Sequence, residues 1–352
     1  MILNPVNSLS LASIAFTGTF IVFNSGDGGI SSSSPGLYIA TLSLLYFSID
    51  YLLRSSFSIK RIVMWEFLSA CALLMLATLQ AYVNNENLVT AIGRNGFLVV
   101  TLFLSKFIDN QNAKQVFSLI FYLFLVEVVV RFSSGAASFQ GLYSLKNSIF
   151  FPDTNFIGVV LAPAVALVWA ARNKLALPAI ALIVLTASRT AYIGLITYRC
   201  ALRFPLTSLF GLVVALALLL VYREVIFFYL YGLDGSLATK IDIFNNSISL
   251  LSDPYRVVVG YGKTGVLMFA VDEAGQQLHV GHTLPGNISQ YGLILPFFAI
   301  FFSLKFVSSS DRTPLFVYLM VIGLTGLFPY AYLGFIVILY KAAKLTSVQP
   351  TR

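Results

Sequence analysis

The chain has 352 residues, of which 58% are hydrophobic and only 10% charged. A soluble domain carries about 25% charged residues, so the composition excludes an ordinary water-soluble enzyme and predicts an all-α polytopic membrane protein. The formal charge of +8 would suit a nucleic-acid partner, but its distribution over alternate loops excludes one.

Apolar runs approaching the ~20 residues that cross a bilayer are predicted at 9–24, 36–53, 62–83, 91–108, 115–132, 155–171, 175–187, 190–202, 206–222, 283–304, 314–328 and 331–343. The first lacks a basic leader and a small-residue cleavage site, so it is expected to be retained. Of the 22 Lys and Arg residues, 14 fall on one side of this arrangement, among them Arg54, Lys60, Arg172, Lys174, Lys305 and Arg312. The other side holds 8, and Arg223, Lys240, Arg256 and Lys263 of these share one long loop. Long loops count little toward orientation. The expectation is therefore one transmembrane domain over 1–352, about twelve spans, both termini cytoplasmic and residues 223–282 outside as a loop. Cys71 and Cys200 lie in separate apolar segments and read as packing residues.

Two segments bear on the count. Residues 175–203 are basic at both flanks, which favours a hairpin over one long helix. Each arm would rise only about 18 Å, so the tip Ser188-Arg189-Thr190 would stop short of the outer surface. Residues 314–343, around Phe328-Pro329-Tyr330, give eleven spans if they form one helix. Within the long loop, Leu237, Ile241, Phe244, Ile248 and Leu251 fall at helical spacing with polar residues between them. This predicts an amphipathic helix at the membrane surface or over a cavity, ended by Asp253-Pro254.

Arg189 is the first candidate site residue. A charge at membrane depth costs about 2.5–3.5 kcal/mol on insertion scales and usually faces a cavity. A bound anion would offset that cost; a tip reaching the interface, where the guanidinium snorkels into water, is the alternative. In Phe151-Pro152-Asp153-Thr154-Asn155, Asp153 or Thr154 can cap a helix, and Asn155 would then face a polar cavity. Val258-Val259-Gly260-Tyr261-Gly262 imitates a potassium filter, but Val258 stands at the threonine position and Lys263 follows. Gly262-Lys263-Thr264 lacks the upstream glycine of a phosphate loop, since residue 257 is valine. The two histidines, His279 and His282, close the long loop. With Asp272 and Glu273 they make a poor metal set, because no third ligand is fixed. General base or polar contact at a cavity mouth is the reading left.

Taken in order, these pieces resemble the O-antigen ligase and polymerase superfamily of bacterial envelope enzymes. The resemblance rests on Asp153-Thr154-Asn155-Phe156 at a span start, Ser188-Arg189-Thr190-Ala191 in the short hairpin, Lys240 early in the long loop, Gly260-Tyr261-Gly262, and His282 about ten residues before Gly292. It covers roughly residues 145–300. It departs from the family at Thr283-Leu284, and at Lys240 where arginine is usual. It implies a metal-independent, cofactor-free inverting glycosyltransferase in the bacterial inner membrane, with its active site facing the periplasm. Donor and acceptor would be polyprenyl-diphosphate-linked oligosaccharides; a chain-length regulator and a flippase would be further partners. Arg189, Arg256 and Lys240 would bind the donor diphosphate, and His282 would activate the acceptor hydroxyl. Asn155, Asp153, His279 and Tyr291 would line the acceptor cavity. The expected activity is polymerisation of repeat units of O-antigen, capsule or exopolysaccharide. Ligation to lipid A-core is the alternative, and transport of lipid-linked sugars a second one.

Overall fold

A computed structural model describes residues 61–110, 112–133, 154–171, 173–186, 188–231, 241, 244–245, 248, 252–262, 283–325, 328 and 332–348. Among these residues the chain is helical and holds no strand. The helices are α1 (Arg61–Val83), α2 (Leu88–Leu104), α3 (Ala113–Ser133), α4 (Thr154–Ala170), α5 (Ala176–Leu185), α6 (Arg189–Arg203), α7 (Pro205–Val221), α8 (Arg223–Tyr231), α9 (Pro254–Val259), α10 (Leu284–Tyr291), α11 (Ile294–Leu304), α12 (Ser309–Thr325) and α13 (Leu333–Val348). The runs predicted at 9–24 and 36–53 lie outside the described residues. Cys71 is half-buried and Cys200 exposed, and neither forms a disulfide.

Hydropathy placed most helices to within a few residues but overestimated their continuity. The run at 283–304 is broken into α10 and α11 at Gly292, whose φ is +72°. The run at 175–203 is two helices, α5 and α6, as the basic flanks suggested. By length and composition, Met64–Val83 is the one helix among the described residues able to cross a membrane alone. The α7–α8 pair makes a second if counted together, but it is bent by 86°. The remaining apolar helical stretches, Ala91–Leu104, Ala113–Val126, Ile157–Ala170, Ala176–Leu185 and Ile294–Leu304, are shorter. They rise about 15–21 Å, less than the ~30 Å hydrocarbon core.

The chain divides into two compact units. The first comprises the described residues of Met1–Ala72, Gly93–Leu195 and Ala331–Arg352. Its centre is α13, buried along most of its length against α4 and α3. Gly334 lets α13 approach the α2 part of this unit: a β-carbon there would lie 2.8 Å from Thr101 Cβ and 3.0 Å from the Leu98 carbonyl oxygen. A small residue at such a crossing lets the two backbones come close. At one end Glu66 and Lys106 form an ion pair, and Lys341 Nζ donates to the Ser105 carbonyl at 3.0 Å.

The second unit comprises the described residues of Leu73–Ile92 and Ile196–Tyr330. Here α7 packs on α12, α10 on α11 and α12, and α9 on α10 and α11. Tyr198 and Tyr318 meet edge to face at 5.7 Å. Of the predicted loop helix, residues 241, 244, 245 and 248 are described and helical. Ile241 is buried, Phe244 and Ile248 are half-buried and Asn245 is exposed, the two faces expected from the spacing.

Candidate functional site

The second unit holds a built cation station. Asp253 does more than end the loop helix: its side chain accepts from the Tyr255 and Arg256 amides at 3.0 and 3.4 Å and N-caps α9, with Pro254 in the first turn. Asp followed by Pro is a strong helix start. The sequence reading took Asp253-Pro254 only as the end of the loop helix; the structure starts a six-residue helix there that carries Arg256.

The Arg256 side chain is half-buried and held on several sides. Nη1 donates to the Gly260 carbonyl at 3.1 Å and to Asn84 Oδ1 at 3.5 Å. The guanidinium carbon lies 5.0 Å from the Tyr261 ring centre and 5.6 Å from that of Tyr255, within cation–π range. Among the described residues no carboxylate comes within ion-pair distance of it, and its Nε and Nη2 find no acceptor. The fork is thus fixed in place with an edge available to an oxyanion, the geometry in which arginine binds carboxylate or phosphate best.

What fixes this station is a reciprocal junction between α9 and α10. Each short helix ends in a glycine at φ +72°, Gly260 and Gly292. The residue after each glycine donates to the other helix: Tyr261 N to Ser289 O at 2.9 Å, Leu293 N to Val257 O at 2.6 Å. The last carbonyls of a helix have no intrahelical partner. Here the end of α1 supplies them. Gln80 Nε2 donates to Val258 O at 3.2 Å and also to Tyr291 O, and Asn84 Nδ2 donates to Val259 O at 2.9 Å. Gln80 and Asn84 are one helical turn apart, so both amides reach the junction together.

Gln80 is therefore the brace between the Arg256 helix and the helix that follows the loop histidines. Gln80→Leu keeps the volume and removes the donor, orphaning two carbonyls at about 1–3 kcal/mol each. The thermal unfolding midpoint of the purified protein is expected to fall clearly, and Gln80→Glu, which puts an acceptor against acceptors, to lower it further. An unchanged midpoint in both variants would show that the brace contributes nothing.

Thr283 has a structural role. Its hydroxyl oxygen accepts from Gly286 N at 3.0 Å and N-caps α10, while Asn287 Nδ2 returns to its carbonyl at 2.9 Å. Tyr291, expected to line a cavity, is the buried last residue of α10, its carbonyl held by Gln80.

In the first unit Arg189 opens α6 and is exposed. Side-chain hydrogen bonds flank the turn before it. The buried Ser188 hydroxyl oxygen accepts from Ala191 N at 3.1 Å, and Thr186 Oγ1 donates to Ile183 O at 2.6 Å. Gly158 of α4 abuts this turn: a β-carbon on it would lie 2.6 Å from Ala191 Cβ and 2.7 Å from Thr186 Oγ1. Asn155 is the second residue of α4, and its side chain lies outside the described residues. So do Asp153, Lys240, His279 and His282. Gln80, Asn84, Tyr255 and Tyr261 were missed by sequence reasoning. Their signals were amides one turn apart at the end of an apolar run, and tyrosines bracketing an arginine. No protein-family model, curated protein or solved structure matches the chain.

Proposed function

We propose that the chain is a polytopic bacterial inner-membrane glycosyltransferase that joins polyprenyl-diphosphate-linked oligosaccharide repeat units into a surface polysaccharide. The observation that carries this reading is the Arg256 station, a fixed guanidinium with no counter-carboxylate among the described residues. A diphosphate is an anion suited to such a fork. The sequence adds Arg189 on its pinned turn, Lys240 and His282. The topology proposed with it has about twelve spans, cytoplasmic termini and a site facing the periplasm.

In the reaction, the acceptor hydroxyl oxygen attacks the anomeric carbon of the donor. The bond from that carbon to the diphosphate oxygen breaks, and its electron pair leaves with the polyprenyl diphosphate. The hydroxyl proton passes to His282, acting as general base. Attack opposite the leaving group inverts the anomeric carbon. Negative charge grows on the leaving oxygen, where a pre-placed cation acts most strongly; Arg256 supplies one, and the sequence resemblance assigns Arg189 and Lys240 the same role.

The purified protein, given a polyprenyl-diphosphate-linked oligosaccharide and a chelator, is expected to produce a ladder of elongated lipid-linked products without any partner protein. Absence of the ladder, with substrate crossing vesicles intact, would favour a transporter. Transfer to lipid A-core without elongation would favour a ligase. His282→Ala and Arg189→Ala are each expected to abolish the ladder in protein that still inserts. Elongation at the normal rate by His282→Ala would remove that residue as the base, and Asp272 and Glu273 would then be tested.

A further inference from the structure

α7 presents apolar side chains to its surroundings over more than half its circumference. Leu206, Phe210, Val213, Leu218, Leu220 and Val221 are exposed, and Leu212 is its one buried residue. With Gly211 and Ala215, also exposed, these positions cover an arc of about 220° at 3.6 residues per turn. A single partner helix covers a stripe of roughly 100°, so one docked helix leaves about half of this arc in water. A bilayer covers all of it. The seventeen residues of α7 rise about 25 Å, most of the ~30 Å hydrocarbon thickness.

The chain then turns on one residue, Tyr222, and α8 leaves at 86° to α7. With α7 near the membrane normal, α8 lies in the membrane plane. One side of α8 faces the protein: Ile226 and Phe227 are half-buried, and Phe227 meets Phe244 edge to face at 5.5 Å. The opposite side carries Val225, Phe228 and Tyr229, at 57%, 79% and 71% exposure. Their i, i+3, i+4 spacing puts them on one stripe, continuous in chain with the apolar surface of α7. Arg223 and Glu224 occupy the corner. Aromatic rings flanked by charge at the end of a span match the chemistry of the headgroup layer.

We propose that α8 is an interfacial helix seated in the headgroup region of the bilayer, with its Val225–Phe228–Tyr229 stripe against lipid. It rests on the membrane reading above and not on glycosyl transfer. The long loop then starts from an anchored platform, and the Phe227–Phe244 contact carries that anchoring into the loop helix.

The test is spin labelling of the full chain in vesicles of phosphatidylethanolamine and phosphatidylglycerol. In a Cys71→Ala, Cys200→Ala background, single substitutions Phe210→Cys, Val214→Cys, Leu218→Cys, Val225→Cys, Phe228→Cys and Tyr229→Cys are labelled. Relative accessibility to oxygen and to a water-soluble nickel complex then gives depth. Expected are oxygen-dominated signals at all six, with 225, 228 and 229 at one shallow depth and 210 and 214 deeper. Depth advancing by about 1.5 Å per residue along 225–229 would make α8 a continuing span and overturn the proposal. Loop-like nickel accessibility there, or spin–spin broadening from a second copy, would also overturn it. Aqueous signals at 210 and 214 would instead sink the membrane reading itself, so the two failures are distinguishable.

Discussion

Arg256→Ala is expected to lower the rate of elongation by about 10²–10³-fold, the usual cost of deleting one pre-placed charge-stabilising donor. Nη1 is tied to the Gly260 carbonyl and Asn84, and two rings flank the guanidinium, so the proposed reaction needs no reorganisation of this side chain as charge develops on the diphosphate. The variant should still fold. It gives up two cation–π contacts worth about 0.5–1 kcal/mol each and the two hydrogen bonds of Nη1, while the backbone bonds of the junction remain. Arg256→Lys restores the charge without the fork and should recover part of the rate, most visibly as a raised KM for the lipid diphosphate. Initial rates against donor concentration, with a thermal midpoint for each variant, make the comparison. Wild-type kcat and KM in a folded Arg256→Ala protein would remove Arg256 from the donor site.

The parts of this chain legible from sequence are those set by one-dimensional pattern. Long apolar runs gave α3 and α4 to within two residues, and the 3.6-residue spacing of Ile241, Phe244 and Ile248 gave their inward side. Asp253-Pro254 was legible as punctuation but ambiguous in direction, because a residue pair that stops one helix can cap the next. The break at Gly292 was hidden, since the run Tyr291-Gly292-Leu293-Ile294-Leu295 stays apolar and a lone glycine inside a helix is usually tolerated at ~1 kcal/mol. The junction itself is tertiary. Gly260 and Gly292 lie far apart in sequence, and Gln80 reaches Val258 across 178 positions. Arg256 was therefore a loop cation in the sequence and becomes a positioned one only through partners that no local pattern announces.

The strongest test of that junction is at its two glycines. Gly260 has φ +72° and ψ −173°, and Gly292 φ +72° and ψ 178°, a region open essentially to glycine alone and costing other residues about 1–3 kcal/mol. Sterics add to this. A β-carbon on Gly260 would overlap the Gln290 carbonyl, lying 2.6 Å from its carbon, and one on Gly292 would overlap the Val258 carbonyl and lie 2.8 Å from Val257 O. Backbone cannot rotate aside as a flexible side chain can, so each alanine must part α9 from α10. Gly260→Ala and Gly292→Ala are each expected to lower the thermal midpoint and to cut elongation about as deeply as Arg256→Ala. Because both break the same contact, the double variant should lose less than the sum of the two. Gly96 and Gly211 are internal controls: nothing lies within 4 Å of a β-carbon on either, and both sit inside helices. Alanine there should be neutral or stabilising by up to about 1 kcal/mol. Additive losses at 260 and 292, or losses no larger than at the controls, would mean that the two helix ends do not hold one another and that Arg256 is positioned by something else.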